Sequence, residues 1–316
     1  MKLKRYFVAF VAILVIGIVN ANAIARWIEP WIERAYSLSG ISENTLEYDA
    51  EPPTSINTDG IDYRLRVHFL DVGNADAILV EFDGSFALID AGGGPTADFV
   101  VGYLERHGVK ELRYVVATHP HADHIGGMSA VLDRFDVGTL LMPDATHTTR
   151  TFERFLNAIE RNDVSVVVPG VGDVFYLGYA HMMVLSPARE YVELNDMSIV
   201  IRLEYGQTSF LLTGDTTRIA EEDMVSAGLP LRSDVLKVAH HGSHTSSSYL
   251  FLREVMPKYA VITVGADNQY GHPHNVVMSR LSDLSRTHGT QVFRSDLHGT
   301  IVFASNGLEL SVTTEF

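Results

Sequence analysis

Residues 118–128 read T-H-P-H-A-D-H-I-G-G-M. A run of that kind restricts the chain to folds able to aim several polar side chains at one place. Within six positions it supplies His119, His121, Asp123 and His124, and imidazole and carboxylate are ligand types that zinc takes. The preceding run at 112–117, L-R-Y-V-V-A, reads as a buried strand, and the stretch opening with Gly126 and Gly127 reads as the start of a helix. Because side chains alternate along a strand, His119 and His121 can point the same way, while Asp123 and His124 on the following turn can face a second ion. The competing reading is a surface loop that happens to be rich in histidine.

More residues of the same chemistry recur after apolar runs. L-L-T-G-D at 211–215 ends in Asp215, which can bridge two ions or cap the helix that follows from Thr216. L-K-V-A-H-H-G-S-H at 236–244 delivers His240 and His241 to a glycine turn. Adjacent side chains point apart, so one can bind metal and the other a substrate or a ligating residue. N-Q-Y-G-H-P-H at 268–274 places His272 in a polar loop suited to phosphate contact or proton transfer, or simply to the surface. D-V-G-N-A-D at 71–76, with Asp71 and Asp76, and L-I-D-A-G at 88–92, with Asp90, have the same form. Asp90 can accept an N–H from a ligating histidine and fix its tautomer, or serve only as a turn residue.

From Tyr63 onward, short apolar runs are bounded by Gly, Asp and Asn. Strands are expected at 66–71, 77–82, 86–90, 112–117, 137–142 and 165–168, with helices at 98–107, 128–134 and 151–161. A second half follows: strands at 180–186, 198–205, 208–213, 235–239, 259–264, 291–294, 300–304 and 308–313, helices at 218–226, 249–256 and 276–287. Such an order suggests an α/β fold with two mixed sheets face to face and helices outside. Residues 63–316 would form this domain. Residues 1–25 carry Lys2, Lys4 and Arg5, then an apolar run and Ala21-Asn22-Ala23, the pattern of a signal peptide or of an uncleaved membrane anchor; a buried helix is the third reading. The first two place the catalytic part in a secreted, periplasmic or membrane-anchored protein outside the cytoplasm. Residues 26–62 read as a linker with one short helix around 27–36. The absence of cysteine excludes disulfides and thiolate zinc sites, and a net charge of -15 disfavours non-specific binding of nucleic acid. Nothing points to a protein partner.

Taken together these motifs resemble the metallo-β-lactamase superfamily, whose H-x-H-x-D-H signature is matched by His119, His121, Asp123 and His124. Within it the chain is similar to the extracellular domain of ComEC-type competence proteins, on D-V-G-N-A-D at 71–76, T-H-P-H-A-D-H-I-G-G at 118–127, N-D-M-S at 195–198, T-G-D at 213–215, L-K-V-A-H-H-G-S at 236–243, Y-G-H-P at 270–273 and F-R-S-D at 293–296. The resemblance implies an αββα sandwich with a dinuclear site for two divalent ions, zinc or manganese, at one edge of the sheets. His119, His121, Asp123 and His124 would be ligands, Asp215 would bridge, and His240 or His241 would close the second site. Asp71, Asp76, Asp90, Asn195, Ser198, Lys237, Ser243 and Arg294 would contact substrate or support the ligands. Asn195 stands where many superfamily members have a metal-binding histidine, which leaves one ion with fewer ligands or differently bound. ComEC proteins carry many membrane helices and this chain at most one, so the resemblance implies the hydrolase and not DNA transport.

The implied chemistry is hydrolysis by a hydroxide generated between two ions, oriented by Asp123 or Asp215, with His272, Lys237 and Arg294 available to hold a phosphoryl oxygen or protonate a leaving group. A phosphodiesterase or nuclease acting outside the cytoplasm is the leading expectation. Hydrolysis of a lactone, thioester or β-lactam is the alternative on the same fold, and a non-catalytic metal-containing binding module is the alternative from another class.

Overall fold

A computed structural model describes residues 62–316. The leader read at 1–25 and, but for Asp62, the linker read at 26–62 lie outside the described residues. In chain order the main elements are β1 (Leu65–Phe69), β2 (Ala77–Phe82), β3 (Ser85–Ala91), α1 (Ala97–Arg106), β4 (Glu111–Val116), α2 (Ala122–Ile125), α3 (Met128–Arg134), β5 (Asp136–Leu141), α4 (Arg150–Arg161), β6 (Val166–Val167), β7 (Val174–Leu177), β8 (Ala180–Ser186), β9 (Val200–Tyr205), β10 (Thr208–Leu212), α5 (Arg218–Ser226), β11 (Val235–Lys237), α6 (Tyr249–Val255), β12 (Tyr259–Ile262), α7 (Asn275–His288), β13 (Gln291–Arg294), α8 (Ser295–His298), β14 (Ile301–Ser305) and β15 (Leu310–Thr314).

The strands form two mixed sheets, ordered β15-β14-β1-β2-β3-β4-β5-β6 and β13-β12-β11-β10-β9-β8-β7. Central strands are apolar on both faces because each face has a separate partner. In β2, Ile78 and Val80 enter the layer between the sheets, where they join Val184, Ile201 and Phe210 of the second sheet. Leu79, between them in sequence, turns outward to Val100, Leu104 and Val131 of α1 and α3. The second sheet repeats the pattern: Phe210 and Leu212 point inward, and Leu211 points outward to Met224, Phe251 and Leu281 of α5, α6 and α7. Period-two alternation in strands with two covered faces therefore builds the four layers.

Two departures from the sequence reading concern the sheets. The halves are not contiguous: β14 returns to pair antiparallel with β1, so the last two strands complete the first sheet. Strand β7 was not expected; it is a four-residue edge strand, too short for a periodic signal. Among the described residues no helix is long and apolar enough to cross a membrane.

What positions a site is the strand direction. Strands β3 to β6 run parallel, as do β10 to β13. Their carboxyl ends, and the loops that leave them, gather at one rim, the usual place for a site in such sheets.

Candidate metal centre

Strand β4 ends at Val116, and the chain crosses Thr118 into the turn that carries the imidazoles. That turn is pressed onto the end of β3. A Cβ at Gly126 would lie 2.3 Å from the backbone nitrogen of Gly94, so no larger residue fits without displacing backbone. Asp90, at the end of β3, is the anchor. It accepts from the backbone N–H of Thr118 at 2.8 Å and from its hydroxyl at 2.7 Å. Its Oδ2 also lies 2.7 Å from Nδ1 of His124. An Nδ1–H donated there leaves the His124 Nε2 lone pair facing inward, the tautomer a metal ligand needs.

His124 Nε2 faces Asp215 Oδ2 at 3.2 Å and Asp123 Oδ2 at 3.7 Å. His241 Nε2 lies 3.6 Å and 3.4 Å from the same two oxygens. Its other nitrogen is 2.8 Å from the carbonyl of Thr263, which sets the same tautomer. One atom from each of Asp123, His124, Asp215 and His241 falls within 4.8 Å of all the others. His124 Nε2 and His241 Nε2 are buried without a hydrogen-bond partner, and both face Asp215 Oδ2. Buried polar atoms are rarely left so, and two of them converging on a buried carboxylate make a donor set that suits a divalent cation. Beside this group, His119 Nε2 and His121 Nδ1 face each other at 3.0 Å, two donors for a neighbouring ion. The ring of His119 lies 4.2 Å from that of His124, centroid to centroid.

The charges are arranged for cations. Burial works against ionisation of His124, but the carboxylates of Asp215, Asp90 and Asp123 outweigh it and raise its pKa well above the usual value. His241 is also raised: burial opposes its charge, and Asp215 and Asp123 overcome this. Asp215 is held well below the usual range despite burial, by His124, His241 and Lys237. His119 and His121 are lowered, chiefly by burial. In the metal-free protein, protons on His124 and His241 thus offset charge that divalent ions would neutralise, and ion binding would displace them.

The structure separates the expected residues into groups. Asp123, His124, Asp215 and His241 converge, with His119 and His121 alongside. Between the adjacent histidines it favours His241 as the inward group. Both adopt left-handed backbone, φ 53° at His240 and φ 52° at His241, a conformation costing about 1–3 kcal/mol for a non-glycine residue. That twist buries His241 and leaves His240 at the mouth, Nδ1 3.2 Å from Thr245 Oγ1 and Nε2 3.8 Å from Asp215 Oδ2. The helix-capping alternative for Asp215 is not what forms: Thr217 caps α5. Ser198 Oγ accepts from the backbone of Asp215 at 3.1 Å and sits 3.3 Å from His119 Nδ1, supporting both. Asn195 occupies the turn before Ser198, its Oδ1 buried without a partner. Ser243 supports Thr245 at 3.0 Å. His272 stands 5.7 Å from His240 between ring centroids, at the mouth.

Three expected contacts need correction. Lys237 is fully buried, ion-paired with Asp76, and donates to the Gly214 carbonyl at 2.8 Å; its ammonium fixes carboxylates from beneath and cannot reach a substrate. Arg294 is held by Asp296, its Nε donating at 2.9 Å. Asp71 accepts from the Gly73 N–H at 3.3 Å and shapes its own loop. His272 also changes role. Burial and the neighbouring His241 and His240 push its pKa down to about 4, so it meets a substrate neutral and does not carry a proton to a leaving group at neutral pH. Sequence reading missed Thr118 and Thr263, whose hydroxyls bind Asp90 and Asp76. Threonine at a strand end carries no signal of its own. It also missed His147, whose ring is 5.8 Å from that of His121.

The model of the metallo-beta-lactamase superfamily matches residues 70–265. ComE operon protein 3 of Bacillus subtilis is 30% identical over 257 residues, 75% of this chain and 33% of that protein. Competence protein ComA of Neisseria gonorrhoeae is 33% identical over 236 residues, 74% of this chain and 31% of that protein. The chain thus spans about a third of the length of these relatives. Among solved structures, the metallo-beta-lactamase fold protein YhfI of Bacillus subtilis superposes with a TM-score of 0.53 at 12% identity, covering 76% of this chain and 100% of that one, a likeness of fold alone.

Proposed function

This chain belongs to the metallo-beta-lactamase superfamily, a family of metal-dependent hydrolases, and from that premise we propose that it is a phosphodiesterase or nuclease acting outside the cytoplasm. The observation that carries the reading is that His124 Nε2 and His241 Nε2, buried and without hydrogen-bond partners, converge on the carboxylates of Asp215 and Asp123, beside His119 and His121. His119, His121, Asp123, His124, Asp215 and His241 would hold two divalent ions. When bound, such a pair supplies Lewis acidity and lowers the pKa of water toward neutrality.

The chain's own groups do the rest. Asp215 and Asp123 accept hydrogen bonds from the attacking water and orient it toward the substrate. Asp90 and Thr263 hold the inner imidazoles in one tautomer, so the site is formed before substrate arrives. Neutral His240 and His272 line the mouth and offer N–H groups to anionic oxygens. The similarity to a competence protein supports a nucleic-acid substrate. The net charge of -15 favours a small substrate or an exposed strand end over long duplex. The basic and apolar pattern of residues 1–25 supports action outside the cytoplasm.

Purified protein with confirmed zinc or manganese content is expected to cleave bis-(p-nitrophenyl) phosphate or single-stranded DNA, and to leave nitrocefin and a simple lactone intact. Cleavage of the lactam or lactone with no action on phosphodiesters would reject the assignment.

A further inference from the structure

His147 lies in residues 142–149, the loop leaving the carboxyl end of β5, which runs parallel beside β4 and so opens onto the same rim. Three contacts fix this loop. Pro143 is buried, Ala145 packs against Tyr191, Met197 and Ala220 from the other half of the molecule, and Thr149 caps α4 by accepting from the Phe152 N–H at 3.3 Å. The same Thr149 donates its backbone N–H to His147 Nδ1 at 3.1 Å. A ring nitrogen that accepts has no proton, so the proton of the neutral ring is on Nε2. The ring stands edge-on to His121, centroids 5.8 Å apart and planes at 75°. A helix cap therefore holds one N–H donor at the mouth, beside the His119 and His121 side of the centre.

We propose that His147 is a substrate-binding residue, its Nε2–H donating to an anionic oxygen of the substrate. This deepens the phosphodiesterase reading and rests on it, the oxygen then being a phosphoryl oxygen. His147 takes the His121 side and His272 the His240 side, so the two imidazoles address different oxygens of one group. The tautomer set by Thr149 makes His147 a donor and not a ligand.

The test compares the full metal-loaded chain with His147→Ala and His147→Gln. Metal content is measured by mass spectrometry, affinity for inorganic phosphate by calorimetry, and KM and kcat on bis-(p-nitrophenyl) phosphate. His147→Ala is expected to keep its full metal content, to bind phosphate about tenfold more weakly, the loss of one hydrogen bond to a charged group, and to show the change in KM more than in kcat. His147→Gln, which restores an N–H at similar reach, is expected to recover most of the phosphate affinity. Loss of a metal equivalent in His147→Ala, phosphate affinity equal to the wild type, or no phosphate binding by the wild type would each overturn the inference. Phosphate binding that follows the expected pattern in a chain that cleaves no phosphodiester would uphold the role of His147 and reject the proposed function.

Discussion

The two halves of the rim reach the same centre by different means. The segment after β4 presents His121 from extended backbone and Asp123 and His124 from a helical turn, held by Asp90 and Thr118. The segment after β11 presents His241 from two successive left-handed residues and relies on a buried ammonium, Lys237, placed under Asp76 and Asp215. The first half takes its ligands from extended and helical backbone and has left-handed backbone only at its anchor, Asp90, with φ 58°. The second half puts the strain in the ligand residue itself, His241, and in its neighbour His240, which only the surrounding fold can support. Local geometry can be read from a motif, whereas strain imposed by the fold cannot.

The largest effect should come from the residue both halves share. Asp215→Ala removes a carboxylate facing His124 and His241 together; hydrolysis should fall about a thousandfold or more, since several kcal/mol of transition-state stabilisation depend on the ions. Next, His241→Ala should lose about one equivalent of metal by elemental analysis. His240→Ala should keep both and lose roughly the tenfold in rate that one hydrogen bond carries. Equal metal loss in both variants would erase the distinction drawn between them. In the first half, Asp90→Asn should weaken metal affinity by about 10–100-fold, as measured by competition with a chelator, because His124 loses its anchor while its ligand atom remains.

The smallest effect is one of pH. Glu221 accepts from the backbone of Ser247 and Ser248, downstream of His241. Burial raises its pKa from 4.5 to about 7, against those hydrogen bonds and Arg280. Between those values the folded chain holds a proton that the unfolded chain has released. The stability this gives is full below about pH 4.5 and is lost as pH rises through about 7. Glu221→Gln should flatten that slope in denaturant titrations across the window, and an unchanged slope would assign it to other groups.

Much of this was legible before any coordinates. The alternation of Ile78, Leu79 and Val80 gives two covered faces, and the motif at His119–His124 gives a strand end with ligands. The strand-end position of Asp90 left it open between a carboxylate that fixes a histidine tautomer and a turn residue; its Oδ2 lies 2.7 Å from His124 Nδ1. The choice between His240 and His241 was not legible, because it depends on a backbone twist that packing imposes. Nor was the fate of Lys237: its apolar neighbours in β11 show burial, but nothing in sequence pairs it with Asp76, far away in the chain. The return of β14 to β1 was hidden for the same reason, since strand pairing across such a separation leaves no periodic trace.

The central claim is that both halves close on one pair of ions, and a structure of the metal-loaded chain determined with anomalous scattering from the bound metal tests it most directly. The account predicts two ions roughly 3.5–4 Å apart, with Asp215 between them, His119 and His121 on one side, and His124 and His241 on the other. A single ion, or ions whose ligands do not include both His241 and a residue of the 119–124 segment, would contradict it.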